Sequence, residues 1–100
     1  MQLGTAKQGS AEIYATISGN VPVKYSIAIV KTDETDKRNK NLVIKITDDR
    51  LIDSAGGIVR GMSGSPIVQD GKIVGAITHV FLNDSTRGYG ISISKMVSDN

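Results

Sequence analysis

The chain has no cysteine and no tryptophan, only two prolines, and just four aromatic residues, Tyr14, Tyr25, Phe81 and Tyr89. Each shortage excludes something. Without cysteine there is no disulfide, no thiolate metal site and no cysteine nucleophile. With so few rings, the core of this 100-residue chain must rest on isoleucine and valine, and β-branched side chains favour strands over helices. No run of ~18 apolar residues is present, so no segment spans a membrane as a helix. Residues Met1 to Lys7 show no basic stretch leading into an apolar run, so they do not read as a signal peptide. The formal net charge is +2, and part of it comes from Lys31, Lys37, Arg38 and Lys40, interleaved with Asp33, Glu34 and Asp36. That mixture reads as a solvated loop. A nucleic-acid surface would need basic residues gathered on one face with stacking aromatics, so no nucleic-acid partner is expected. One histidine among scattered carboxylates gives no metal-ligand spacing. Gly56-Gly57 precedes no Lys-Ser/Thr pair, so no phosphate cradle is expected either. No cofactor is implied.

What is present is a succession of strand signals. Ala11 to Ser18 reads as a strand closed by Gly19-Asn20. From Val23 to Lys31, Tyr25, Ile27 and Ile29 alternate with Lys24, Ser26, Ala28 and Val30, the period of a half-buried strand. Leu42 to Thr47 gives a third strand, and Asp48 to Arg60 a loop with a short helical turn near Leu51-Ile52. Ser65 to Gln69, Lys72 to Phe81 and Tyr89 to Ser94 complete the set, with Asp70-Gly71 as a hairpin turn. Lys95 to Ser98 reads as a helix start. Six strands with glycine-rich corners predict a single all-β domain over residues 1–100, a six-stranded antiparallel barrel.

The chemistry is concentrated in Gly61-Met62-Ser63-Gly64-Ser65-Pro66. Alone, such a cluster is most often a surface turn. It also resembles the Gly-x-Ser-Gly-x-Pro nucleophile loop of chymotrypsin-like serine peptidases. In that reading Ser63 is the nucleophile, and the backbone N–H groups of Gly61 and Ser63 form an oxyanion hole where charge develops on the attacked carbonyl. Downstream, Gly71 to Thr78 and Gly88 to Ile93 match the order of strands that wall the primary specificity pocket in those enzymes. The blocks Lys45-Ile46-Thr47-Asp48, Gly56 to Ile67, Gly75 to Phe81, Asn83-Asp84 and Gly88-Tyr89-Gly90 together resemble the stage IV sporulation protein B family, serine peptidases of endospore-forming bacteria. The likeness is strong over residues 42–97, weaker over 7–31 and weakest over 32–40.

The resemblance implies a barrel like the C-terminal one of trypsin-like peptidases, with a first barrel upstream supplying the general-base histidine and a PDZ domain further upstream. Neither is found in this sequence, and Met1 leading directly into mid-family sequence suggests a recombinantly expressed or a processed piece. The family's activity is endopeptidase action in sporulation signalling. It cleaves itself and a regulator of a membrane-embedded protease, in the space between the membranes around the forespore, and so leads to late sigma-factor activation. The expected partners are a protein or peptide substrate, the missing N-terminal barrel, and a second copy meeting through the exposed inter-barrel face. This chain alone is expected to be inactive, since losing a triad member costs orders of magnitude in rate. A non-catalytic peptide-binding barrel is the alternative.

Two further residues carry open readings. Asp48, fifteen positions before Ser63, matches the family's required Lys-Ile-Thr-Asp aspartate and would orient the base. Equally, an Asp at a strand end caps the turn that follows. His79, the sole histidine, is a pocket-lining donor, a structural ring or, least in keeping with its place on the strand, the base itself. Thr78, His79 and Gly88 form the expected substrate pocket. Met62 stands where digestive relatives place an Asp that pairs with a freed N-terminus, so activation by that ion pair is excluded.

Overall fold

Alternating β-branched residues become strands wherever one face can be buried. In the computed structural model, which describes residues 2–15, 21–33, 41–50, 52, 63–81 and 84–93, this produces six of them. They are β1 (Gly9–Ala15), β2 (Val23–Thr32), β3 (Leu42–Ile46), β4 (Pro66–Gln69), β5 (Lys72–Phe81) and β6 (Asp84–Ser92). Every pairing is antiparallel and the sheet closes on itself in the order β1-β2-β3-β6-β5-β4. The fold is therefore the expected all-β, six-stranded antiparallel barrel, consistent with a chymotrypsin-like barrel. Among the described residues, closure gives every strand two neighbours.

The interior is built from isoleucine, as the shortage of aromatics requires. Ile13, Ile27, Ile29, Ile44, Ile46, Ile67 and Ile77 are each no more than 1% exposed, with Leu42, Val74 and Tyr25 among them. β2 buries Tyr25, Ile27 and Ile29 and turns Lys24, Ser26 and Val30 outward, the alternation read from its sequence. Two inward glycines, Gly90 and Gly75, stand where the barrel is too narrow for a side chain. A Cβ on Gly90 would lie 2.8 Å from the Ala76 carbonyl oxygen and 3.1 Å from Ile67 Cδ1. One on Gly75 would lie 2.4 Å from the Ile91 carbonyl oxygen.

Asp70 and Gly71 both have positive φ, 55° and 75°, which gives the two-residue hairpin turn expected between β4 and β5. Two buried polar residues brace that end of the barrel. Gln69 accepts from Lys7 N–H (2.9 Å) and donates to the carbonyls of Lys7 (2.9 Å) and Ser10 (3.1 Å). Asn41 donates to the Asp33 carbonyl (3.2 Å) and accepts from Ser92 N–H (3.4 Å).

The main departure from the sequence reading is β6. It begins at Asp84, not at Tyr89, because the polar residues expected to form a loop pair instead. Asp84 is opposite Phe81, and Arg87 is opposite Lys45 of β3. An outward strand face needs no apolar residue, so polarity alone hides such a segment. β1 begins two residues earlier than expected, at Gly9. Its expected end at Ser18 and the helix start at Lys95 to Ser98 lie outside the described residues.

Candidate functional site

The antiparallel register decides which residues share an end of the barrel. The last residues of β1, β3 and β5 and the first of β2, β4 and β6 all lie at one end. Ser63 precedes β4, Asp48 follows β3, Thr78 and His79 lie in the last part of β5, and Gly88, the middle residue of β6, is paired with Val80 near the end of β5. Residues scattered from 48 to 88 in sequence are thus delivered to the same end. Gly61, with Arg60 and Met62, lies outside the described residues.

Ser63 and Gly64 form a turn at the entry to β4. Gly64 has φ of 90°, a left-handed conformation that a side chain would strain. The turn is tied to β5 by Gly64 N–H donating to the Ile77 carbonyl (2.7 Å) and Ile77 N–H donating to the Ser65 carbonyl (3.0 Å). Held this way, Ser63 is exposed and its hydroxyl donates to the Thr78 carbonyl at 3.2 Å.

That carbonyl is available because β5 bulges there. Ile77 faces Gly90 and His79 faces Tyr89, so Thr78 is the extra residue. A bulge of this kind re-aims the groups it displaces. Thr78 Oγ1 lies 3.0 Å from His79 Nδ1, the proton's side depending on the ring tautomer. His79 is exposed.

The same register separates the expected pocket residues. Directly paired residues project to the same side of a sheet. His79 is paired with Tyr89, which is paired with Val43, and this row is on the outer face. Phe81 covers Tyr89 there, with ring centroids 4.7 Å apart. Gly88 is paired with Val80 on one side and the fully buried Ile44 on the other, so that row is on the inner face.

Asp48 is a buried carboxylate, 8% exposed, with all its capacity committed. Oδ1 accepts from Arg50 N–H and Nε, both at 3.0 Å. Oδ2 accepts from Ser26 N–H at 3.0 Å and Arg50 Nη2 at 2.8 Å. The bond from Arg50 N–H is that of an N-cap, and the helical turn it opens continues with Ile52 N–H donating to the Asp48 carbonyl at 3.2 Å. Arg50 also donates to the Lys24 carbonyl at 2.8 Å and lies over the Tyr25 ring at 5.3 Å. The Arg50 side chain and the Ser26 N–H hold the Asp48 carboxyl well below the usual carboxylate range, against the opposing effect of burial. Across the rim, hydrogen bonds from Thr86 and the nearby Arg87 and Lys45 lower Asp84 as well.

Sequence reading did not single out Arg50 or Val80. The Asp-x-Arg spacing is a faint sign of the first. The second follows only from register. Among the described residues no cluster of His, Asp or Glu could hold a metal ion, and no helix is long and apolar enough to cross a membrane.

The family model described as SpoIVB peptidase S55 matches residues 2–97. Comparison with curated proteins and with solved structures gave no match. The matched span covers all six strands and nearly the whole chain, so the chain belongs to the SpoIVB peptidase family S55.

Proposed function

We propose that this chain is the nucleophile-bearing barrel of a SpoIVB-type serine endopeptidase. The observation that carries this reading is the placement of Ser63, exposed on a tight glycine turn and anchored to the bulge of β5, within a family of peptidases. Ser63 Oγ adds to the scissile carbonyl, and its proton passes to a general base and then to the departing amine. The N–H groups of Gly61 and Ser63 receive the developing oxyanion. The substrate lies extended along the end of β5 near Thr78 and His79, using strand-like backbone contacts, with Gly88 beneath it.

The base comes from outside this chain. The Ser63 hydroxyl donates to the Thr78 backbone carbonyl, which cannot take its proton, and not to the His79 ring, whose place opposite Tyr89 turns it to the outer face. The lone chain is accordingly inactive until the first barrel supplies a histidine. Asp48 acts as a positioning residue. Both its oxygens are occupied in locking β2 to the turn that leads toward the nucleophile loop, so its loss would displace the loop. The family further supports self-cleavage and cleavage of a regulator of a membrane-embedded protease during sporulation, between the membranes around the forespore. Association through an inter-barrel face, with the first barrel or with a second copy, belongs to the same proposal.

The alternative is a peptide-binding barrel without catalysis, and the bond from Ser63 to a carbonyl favours it for the isolated chain. Self-cleavage of the full-length parent, followed by mass spectrometry, separates the two. Ser63→Ala abolishes self-cleavage if Ser63 is the nucleophile. Unchanged self-cleavage in that variant would refute the proposal.

A further inference from the structure

Val80 is one of the few large apolar residues left exposed, at 42%, yet its register places it on the inner face of the barrel. It is opposite Gly88, and Gly88 is opposite Ile44, which is 0% exposed. The row Ile44, Gly88, Val80 therefore runs from the core outward, and its middle member has no side chain. Val80 is also two residues beyond Thr78, about 7 Å along a strand, and the Thr78 carbonyl holds the Ser63 hydroxyl. One residue of an extended peptide covers half that distance. His79, by contrast, is in the outer row with Tyr89 and Val43.

From this we infer that Val80, across from Gly88, is the side chain that selects the substrate residue at this site, and that it selects an apolar one. The inference rests on the reading of Ser63 as the nucleophile for its place in a peptidase, but the binding it describes does not depend on catalysis. An apolar substrate side chain entering over Gly88 meets the Val80 methyls, with Ile44 behind them, and shields both from water. A carboxylate or ammonium there loses hydration and gains no partner from this row. His79 projects from the other face and cannot supply that partner.

The test uses the full 100-residue chain carrying Ser63→Ala, so that no chemistry intervenes. Three fluorescein-labelled, alanine-based hexapeptides with a single Leu, Glu or Lys are titrated by anisotropy. The Leu peptide is expected to bind at least tenfold more tightly than the other two. Val80→Lys should abolish that preference and favour the Glu peptide. Val80→Thr, which keeps the volume, should reduce the Leu preference severalfold, and far-UV circular dichroism reports that each variant keeps its strands. Equal binding of the three peptides, binding of none, or a Leu preference unchanged in both folded variants would overturn the inference. So would a preference for Glu that His79→Ala removes. Failure of the nucleophile reading is seen separately, as continued self-cleavage of the Ser63→Ala parent, and leaves these titrations interpretable.

Discussion

Replacing Asp48 by alanine removes four hydrogen bonds at once, and their locations set the cost. Losing the cap on Arg50 N–H costs about 1 kcal/mol, with a range of roughly 0.5–2. Leaving the partly buried Ser26 N–H without its charged acceptor costs a further ~1–3 kcal/mol. The ion pair adds little, because the Arg50 side chain is 65% exposed and screened by water. Together Asp48→Ala should destabilise the barrel by about 2–4 kcal/mol, a fall in Tm on the order of 10–25 °C for a domain of this size. Asp48→Asn should fall between, since an amide oxygen still accepts but its NH2 opposes Arg50 or Ser26.

The pH dependence follows from the direction of the shift. The folded Asp48 carboxyl is held below its unfolded value of about 4. Its contribution is therefore complete above pH ~4 and declines as acid approaches the folded pKa. Urea melts at pH 7 and pH 3 should show the gap between the native chain and Asp48→Asn narrowing in acid. A gap of equal size at both pH values would refute the assignment of these bonds to an ionised Asp48.

Other substitutions test the core and its braces. Gly90→Ala should cost about 1–3 kcal/mol by overpacking, because its methyl meets the Ala76 carbonyl and Ile67; thermal melts read it directly. Ile44→Ala, at a position 0% exposed, should cost about 2–5 kcal/mol in urea denaturation. Gln69→Ala frees the Lys7 N–H and the carbonyls of Lys7 and Ser10. It should speed hydrogen exchange at the Lys7 amide at least tenfold while leaving the β2–β3 amides protected.

The fold was legible where side chains must alternate. In β2, Tyr25, Ile27 and Ile29 could bury only on one face, and Asp70-Gly71 named its own turn. β6 was only half legible. Asp84, Thr86 and Arg87 are polar on a strand segment that stays partly exposed, and polarity there looks like a loop. At the site, Ser63 and Asp48 were visible as motif residues. The role of Arg50 in saturating Asp48 was not, since an exposed arginine two residues away carries no periodic signal. The separation of His79 from Gly88 was also hidden. It follows from the bulge at Thr78, one extra residue in a register that sequence does not state. Such a slip exchanges the faces of the residues beyond it, which is why Val80 rather than His79 is opposite Gly88.

The most direct test of the account is labelling of Ser63 by a fluorophosphonate probe, read by intact mass and peptide mapping. The chain is measured alone and again with its family's N-terminal barrel supplied. A single adduct on Ser63 is expected only when both halves are present, with none on Ser63→Ala. No adduct from halves shown to associate, or an adduct on the lone chain, would contradict it.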